Sequence, residues 1–283
     1  MVHSGAAVEG PPRELRFKRR MRLGASVLEL WRARELIRAL TERQLRARYK
    51  QALLGVAWAV IPPVVLMVVM SLFVQRVTEI QTDGIPYPLF SYIALIPWSF
   101  FSSSITQATG SLAGNMDLLN KVRFPREVFP IAGTATAGVD MAVALIPLGI
   151  LFVAYSFVPK LTTVWVPVLL AVQVAFTLGV ALLMSALTVY VRDVRHALPL
   201  VIQFGLFATP IAYGMEQIPP SLRLPYSFLN PLAPVIDGYR RTVLLGDPPA
   251  WDLLLAGAIA ATLLLAVAFL LFKRLEAGFA DVT

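Results

Sequence analysis

Residues 54–75 read LGVAWAVIPPVVLMVVMSLFVQ, a run with no charged side chain. A bilayer core about 30 Å thick is crossed by about 20 mainly apolar residues in helical form, so this stretch has the length of a membrane span. Pro62-Pro63 predicts a kink, because proline removes a helix donor and clashes with the preceding turn. The run lies too deep in the chain and is too long to be the apolar part of a cleaved signal. Working outward, five more such stretches follow at 88–112, 134–157, 163–190, 197–215 and 252–272. The expected fold class is therefore an all-α polytopic membrane protein with six transmembrane helices in a domain spanning 54–275. Composition agrees: 57% of residues are hydrophobic and 15% charged, against roughly 25% charged in a soluble domain.

Charge sets the expected orientation. The segment before residue 54 carries more than half of the 25 Lys and Arg residues. With loops 114–127 and 191–196 and the C-terminal residues after the span 252–272, Lys273, Arg274 and the tail 276–283 among them, on the same side as that segment, only Arg76, Lys160, Arg223, Arg240 and Arg241 fall opposite. The positive-inside rule then makes both termini cytoplasmic and the protein a multi-pass component of the bacterial inner membrane. Lipid headgroups and topology account for the net charge of +8, so no nucleic-acid partner is expected.

The N-terminal segment divides in two. Residues 1–25 are small, polar and proline-containing, the composition of a disordered tail. Residues 26–53 form an amphipathic interface segment. Ser26-Val27-Leu28-Glu29 and Thr41-Glu42-Arg43-Gln44 both have capping-box spacing, which predicts helices over 27–40 and 42–53 that meet at Thr41. Leu30, Ala33, Leu36, Ile37 and Leu40 share a face of the first. Leu45, Tyr49, Ala52 and Leu53 share one of the second, opposite Arg43, Arg46 and Lys50. Basic amphipathic helices of this kind lie in the membrane interface and contact anionic lipid.

Catalytic machinery is absent from the sequence. There is no cysteine, no Gly-x-x-x-x-Gly-Lys-Ser/Thr phosphate loop, no His-Glu-x-x-His and no Gly-x-Ser-x-Gly. The two histidines, His3 and His196, are far apart, so no catalytic or metal site is assigned. Asp140 is the one charged residue near the middle of a span. An intramembrane acid is a functional candidate, but an acid without a basic partner makes a poor proton relay, and packing among the small neighbours Thr134 to Gly138 is the favoured reading.

A weakly polar stripe follows helical spacing in the second span: Ser99, Ser103, Thr106 and Gly110, with Trp98, Phe100 and Phe101 at its start. Phe204, Phe207 and Tyr213 accompany Gly205 and Thr209-Pro210 in the fifth. Hydroxyls and aromatic faces suit a sugar, and ordinary helix packing uses the same residues. Between the last two spans, IPPSLRLPYSFLNPLAPVIDGYRRTVLLG at 218–246 is proline-rich yet apolar. It reads as two short broken helices re-entering the membrane, which requires shielding of their backbone, and makes a candidate external gate.

Arg46-Ala47-Arg48-Tyr49-Lys50-Gln51-Ala52-Leu53-Leu54-Gly55-Val56-Ala57-Trp58, then Pro62-Pro63, resembles the opening of ABC-2 type permeases that export polysaccharides such as O-antigen, capsule, teichoic acid and galactan. Leu119 to Glu127 is similar to that family's loop between spans two and three. Arg192-Asp193, Thr209-Pro210-Ile211, Asn230-Pro231 and Arg240 follow in the family's order. The resemblance covers residues 27–275 and departs at Val191, where a tyrosine is common and here stands one position earlier as Tyr190.

The resemblance implies a homodimer with two copies of a separate nucleotide-binding ATPase subunit. ATP and magnesium would sit on that subunit and no cofactor on this chain. The substrate implied is a lipid-linked polysaccharide. The implied ATPase-coupling surface is Arg43, Arg46, Tyr49 and Lys50 with Lys121, Arg123, Arg126 and Glu127. Arg192 and Asp193 are expected to pair locally at the end of span four. Trp98, Ser99, Phe100, Phe101, Ser103, Thr106, Phe204, Phe207 and Tyr213 would line the glycan path. Asn230, Pro231 and Arg240 would form the gate. An ABC-2 exporter of a drug or lipid is the alternative. An ion-coupled transporter would need more intramembrane charge.

Overall fold

The computed structural model describes residues 23–50, 54–74, 82, 84–115, 124–276 and 278–279. Every regular element among them is helical. Lys121 and Arg123, most of the tract 1–25 and the end of the C-terminal tail lie outside the described residues.

The N-terminal segment forms α1 (Leu23–Arg32) and α2 (Arg34–Tyr49). Their junction is Ala33, not Thr41. The Thr41 hydroxyl donates to the carbonyl of Ile37 at 2.8 Å, so it back-bonds inside α2 and does not cap a new helix. Ser26 likewise lies within α1. The expected apolar face is present: Leu40 is buried with Leu30, Ala33, Leu36 and Ile37 packed around it.

Pro62 and Pro63 begin a helix; they do not bend one. A 3-10 turn at Gly55–Ala59 leads into α3 (Ile61–Val69), with proline in its first turn. There the missing N–H would have had no helical partner in any case. A π turn, Met70–Val74, ends it.

Among the described residues four helices are long and apolar enough to cross a membrane. They are α4 (Tyr87–Ser111), α5 (Val128–Ala154), α6 (Val166–Tyr190, preceded by the 3-10 turn Leu161–Trp165) and α10 (Trp251–Glu276). The chain is thus an all-helical polytopic membrane protein. The first and fifth apolar stretches come out shorter, as Ile61–Phe73 and as α7 (Val194–Ala208). Helix α7 stops where Thr209 turns extended ahead of Pro210, as the residue before a proline tends to do.

Helix α4 is the centre of the bundle. Of its most apolar window 72% is buried, against 22% for α5 and 33% for α10. The outer helices therefore turn apolar faces outward, for example Leu255, Ile259, Leu263 and Val267 along one stripe of α10, as lipid-facing helices do. Small residues allow close packing. A Cβ on Gly179 of α6 would sit 3.1 Å from the Leu265 backbone nitrogen of α10.

The proline-rich segment folds as two short helices, α8 (Pro220–Leu229) and α9 (Leu232–Tyr239), the second running into a π turn at Arg240–Leu245. Every residue of α9 is buried. Gln173 of α6, fully buried, donates to the Pro97 carbonyl of α4 at 3.0 Å and accepts from Tyr239 of α9 at 2.9 Å. One amide thus ties three elements together across an apolar core.

Candidate functional site

Helix α2 runs alongside the first half of α5 in the same direction, joined by a ladder of polar rungs. Thr41 Oγ1 lies 3.5 Å from the Ala132 carbonyl oxygen. The Thr136 hydroxyl and the Gln44 side-chain oxygen are 2.9 Å apart. At the top rung, Arg48 Nη1 meets Asp140 Oδ2 at 2.6 Å and the Tyr49 hydroxyl donates to Asp140 Oδ1 at 2.5 Å. The regular offset along both helices makes one face of α2 a docking strip for α5.

This rung corrects the expectation for Asp140, which has a basic partner after all. Sequence reasoning passes over Arg48, although it stands inside the Arg-Ala-Arg-Tyr-Lys run. The signal that could find it is physical: an acid in a span needs a compensating charge, and Arg48 is among the nearest basic residues on the segment that enters the bundle. Tyr49 is correspondingly turned inward. Its hydroxyl pKa is raised above the usual 10, first by burial and then by its hydrogen bond to Asp140, so it stays a donor at neutral pH. Arg43, Arg46 and Lys50 remain exposed. Glu42 takes Arg38 at 3.1 Å and Arg46 at 3.5 Å along the outer face.

Beside the top rung lies a partly open cavity of 280 Å³ lined by α2, the 55–59 turn, α3, α4 and α5. Ser99, Phe100 and Ser103 of the expected polar stripe reach it. Thr106 does not. It is exposed and back-bonds to the Ser102 carbonyl at 2.8 Å. Trp98 is buried against α7, close enough that a Cβ on Gly205 would lie 2.9 Å from its Cη2. Phe101 packs on Trp98 at 5.5 Å and stacks on Phe176 at 5.4 Å. Phe204 and Phe207 point outward, 72% and 64% exposed. The structure therefore does not bring these two phenylalanines together with the serines.

Glu127 is also corrected. It is fully buried and pairs with Lys273 Nζ, so its carboxylate offers no surface to a partner. Lys273 holds Glu276 as well, at 3.1 Å. Arg126 donates to the Glu276 carbonyl at 3.2 Å and lies over the Phe279 ring at 5.6 Å. Together these groups fasten the start of α5 to the end of α10. Burial pushes the Glu127 carboxyl above its ordinary value, a shift that Lys273 only partly offsets. Tyr190 adds a further tie, its hydroxyl donating to the Leu275 carbonyl at 2.7 Å.

The expected Arg192–Asp193 pair does not form among the described residues. Both side chains are exposed, and the contribution of Asp193 is its carbonyl, which accepts from His196 and Ala197 as α7 begins. Adjacent residues in a tight turn diverge, which holds these two side chains apart.

At the far end of the bundle Arg240 is 3% exposed. Its guanidinium donates to the carbonyls of Phe90 (3.2 Å), Pro210 (2.8 Å), Tyr213 (2.8 Å) and Ile211 (2.6 Å). It also lies 3.7 Å from the Phe90 ring centroid. Asn230 donates to Thr209 Oγ1 at 3.0 Å, and Pro231 is buried between α8 and α9. Arg240 is thus an internal staple and not an exposed charge. Tyr213 lies near this junction, its hydroxyl 3.4 Å from the Phe207 carbonyl. Among the described residues no three His, Cys, Asp or Glu side chains cluster as metal ligands would.

Comparison with known proteins agrees with this architecture. Residues 35–244 match the family model described as ABC-2 type transporter. The chain is 31% identical over 257 residues to an O-antigen export system permease protein RfbA of Myxococcus xanthus, covering 90% of this chain and 98% of that protein. It is 28% identical over 250 residues to one of the same name from Klebsiella pneumoniae, covering 88% and 95%. A polysialic acid transport protein KpsM of Escherichia coli is 23% identical over 216 residues, 74% of this chain and 81% of that protein. With a fold of apolar helices, a polar strip between α2 and α5, and a family match over most of its length, the chain belongs to the ABC-2 type transporter family.

Proposed function

We propose that this chain is the membrane permease of an ATP-driven exporter that moves a lipid-linked polysaccharide from the cytoplasm to the outer face of the inner membrane. The observation that carries this reading is the end-to-end similarity to permeases named for O-antigen export, at 31% identity over 98% of one of them. The sequence has no phosphate loop, so the work of ATP hydrolysis, with its magnesium, comes from a separate subunit. Two copies of the permease with two copies of that ATPase make the working assembly.

In this reading all six apolar stretches span the membrane, both termini are cytoplasmic, and α8 and α9 re-enter from outside as a gate. The ATPase pushes on the outward basic face of α2, at Arg43, Arg46 and Lys50, together with Lys121 and Arg123 of the neighbouring loop. The Arg48–Tyr49–Asp140 rung passes that push to α5. Arg126, Glu127 and Lys273 carry it on to α10. A path for a long polymer must hold each sugar weakly, since a tight site would stall it. Hydroxyl and aromatic side chains meet that need.

Depleting the protein and following lipid-linked glycan tests this. The expected result is glycan accumulating inside the cell with surface polymer lost. Unchanged glycan distribution removes the reading and leaves export of a drug or another lipid by the same architecture.

A further inference from the structure

The cavity beside the top rung has a composition that the clamp alone does not require. Ser99 and Ser103 turn into it, and their hydroxyls make no hydrogen bond among the described residues. Elsewhere in these helices Ser71, Thr106, Thr134 and Thr188 bond back to a carbonyl of the preceding turn. The hydroxyls of Ser104, Thr177 and Ser185 also lack a partner among the described residues, but they are fully buried and do not line this cavity. Two serine hydroxyls left open on one wall are donors and acceptors free for a ligand. On the other wall Trp58 is 54% exposed and stacks on no other ring among the described residues. Between them sits the Arg48–Asp140 pair, with most guanidinium N–H groups still available beyond the one that meets Asp140.

The charge balance decides what kind of ligand fits. Among the described residues Arg48 is the one cation of the cavity wall, and Asp140 already neutralises it at 2.6 Å. A phosphate would have to compete with a carboxylate held in place by Tyr49. A neutral polyhydroxylated ring faces no such competition. It can bridge guanidinium and carboxylate with adjacent hydroxyls, use the serines at its edge and lay its C–H face on the indole. Size agrees: drug-sized ligands occupy pockets of about 300–1,000 Å³, and 280 Å³ suits one ring. We propose that this cavity is a subsite for a single neutral pyranose ring, held by Arg48, Asp140, Ser99 and Ser103 and stacked on Trp58.

The choice of sugar as ligand rests on the export reading, and the test separates the two. The chain has no cysteine, so Ser102→Cys places a single, nearly isosteric thiol on the cavity wall without replacing a residue that holds the ring. The full-length variant in nanodiscs is labelled with a maleimide in the presence of methyl glucoside, galactoside, mannoside, rhamnoside or N-acetylglucosaminide, and separately of inorganic pyrophosphate. At least one pyranoside is expected to slow labelling, by about tenfold at ten times its Kd from occupancy alone. Adding Trp58→Ala, a change at an exposed side chain, is expected to abolish that protection, and pyrophosphate is expected to give none. Protection by pyrophosphate alone, or by no pyranoside, overturns the proposal. If glycan still accumulates on depletion, export stands without this subsite. If glycan distribution is unchanged while a pyranoside protects, the subsite stands and the export reading falls.

Discussion

Arg48 and Asp140, 92 positions apart in the chain, meet at 2.6 Å. Their side chains are 39% and 12% exposed, so the pair is neither a solvated surface bridge nor a fully buried one. Exposed pairs contribute about 0–1 kcal/mol, whereas breaking a buried one costs about 3–5 kcal/mol. Asp140 also accepts from Tyr49, which places the carboxylate in a small network whose members depend on one another. Beside the apolar packing of Leu40 with Val128, Phe129 and Ala132, this pair is the charged contact that fastens α2 to α5 among the described residues.

Asp140→Asn and Arg48→Gln are each expected to cost about 1–3 kcal/mol, between the exposed and buried limits, and to lower surface polymer without preventing membrane insertion. The exchanged pair Arg48→Asp with Asp140→Arg is expected to recover part of both losses. Thermal unfolding of the purified proteins and surface-polymer staining read the two effects. Strictly additive losses in the exchanged pair would show that the side chains do not act on each other.

The extent of the helices was largely legible, because apolar length alone sets it: expected spans 88–112, 163–190 and 252–272 fall within a few residues of α4, Leu161–Tyr190 and α10. Junctions were less so. Thr41 carries capping-box spacing, yet the same hydroxyl bonds equally well to a carbonyl four residues back, and local spacing does not distinguish the two. Pairings across the fold were not legible at all. Asp140 stood out as a mid-span acid, but selecting Arg48 over Arg46 or Lys50 depends on the rotation of α2 against α5. Likewise Glu127 read as a charged loop residue until the end of α10 brought Lys273 onto it.

Glu127 gives a pH signature. Its carboxyl is raised above the ordinary 4.5 mainly by burial, so between that value and its folded value the native protein holds more protons than the unfolded one. Stability attributable to this group is therefore full below about 4.5 and falls as pH rises through the folded value. Glu127→Gln removes the titration. Melting temperatures of the two proteins from pH 4 to 8 are expected to differ most in favour of the wild type at the acid end. A difference that is constant across the range would mean that Glu127 is not desolvated as described.

Gly205 is set by Trp98. A methyl group there meets the indole at 2.9 Å, and Trp98 is backed by Phe101, which is stacked on Phe176. The ring has nowhere to retreat without disturbing α6. Gly205→Ala is expected to destabilise the protein by about 1–3 kcal/mol through overpacking. Trp98→Phe, which shortens the ring, is expected to rescue it. Measured as a double-mutant cycle by thermal unfolding, a coupling energy near zero would place the strain elsewhere.

Arg240 offers the most demanding substitution because its geometry is the least transferable. The turn after α7 leaves the carbonyls of Pro210, Ile211 and Tyr213 without a helical ladder, and the guanidinium supplies donors to all three and to Phe90. A lysine keeps the charge but has a single nitrogen with three protons and no plane to stack on Phe90. At least one buried carbonyl is then left unpaired, at about 1–3 kcal/mol each, and the guanidinium no longer covers the Phe90 ring. Arg240→Lys is accordingly expected to unfold at lower temperature by an amount corresponding to about 2–4 kcal/mol and to lower surface polymer, since α9 and the end of α7 are no longer fastened to α4. A lysine variant as stable and as active as the parent would mean that charge alone is required here. The four carbonyl hydrogen bonds would then be a consequence of packing and not its cause.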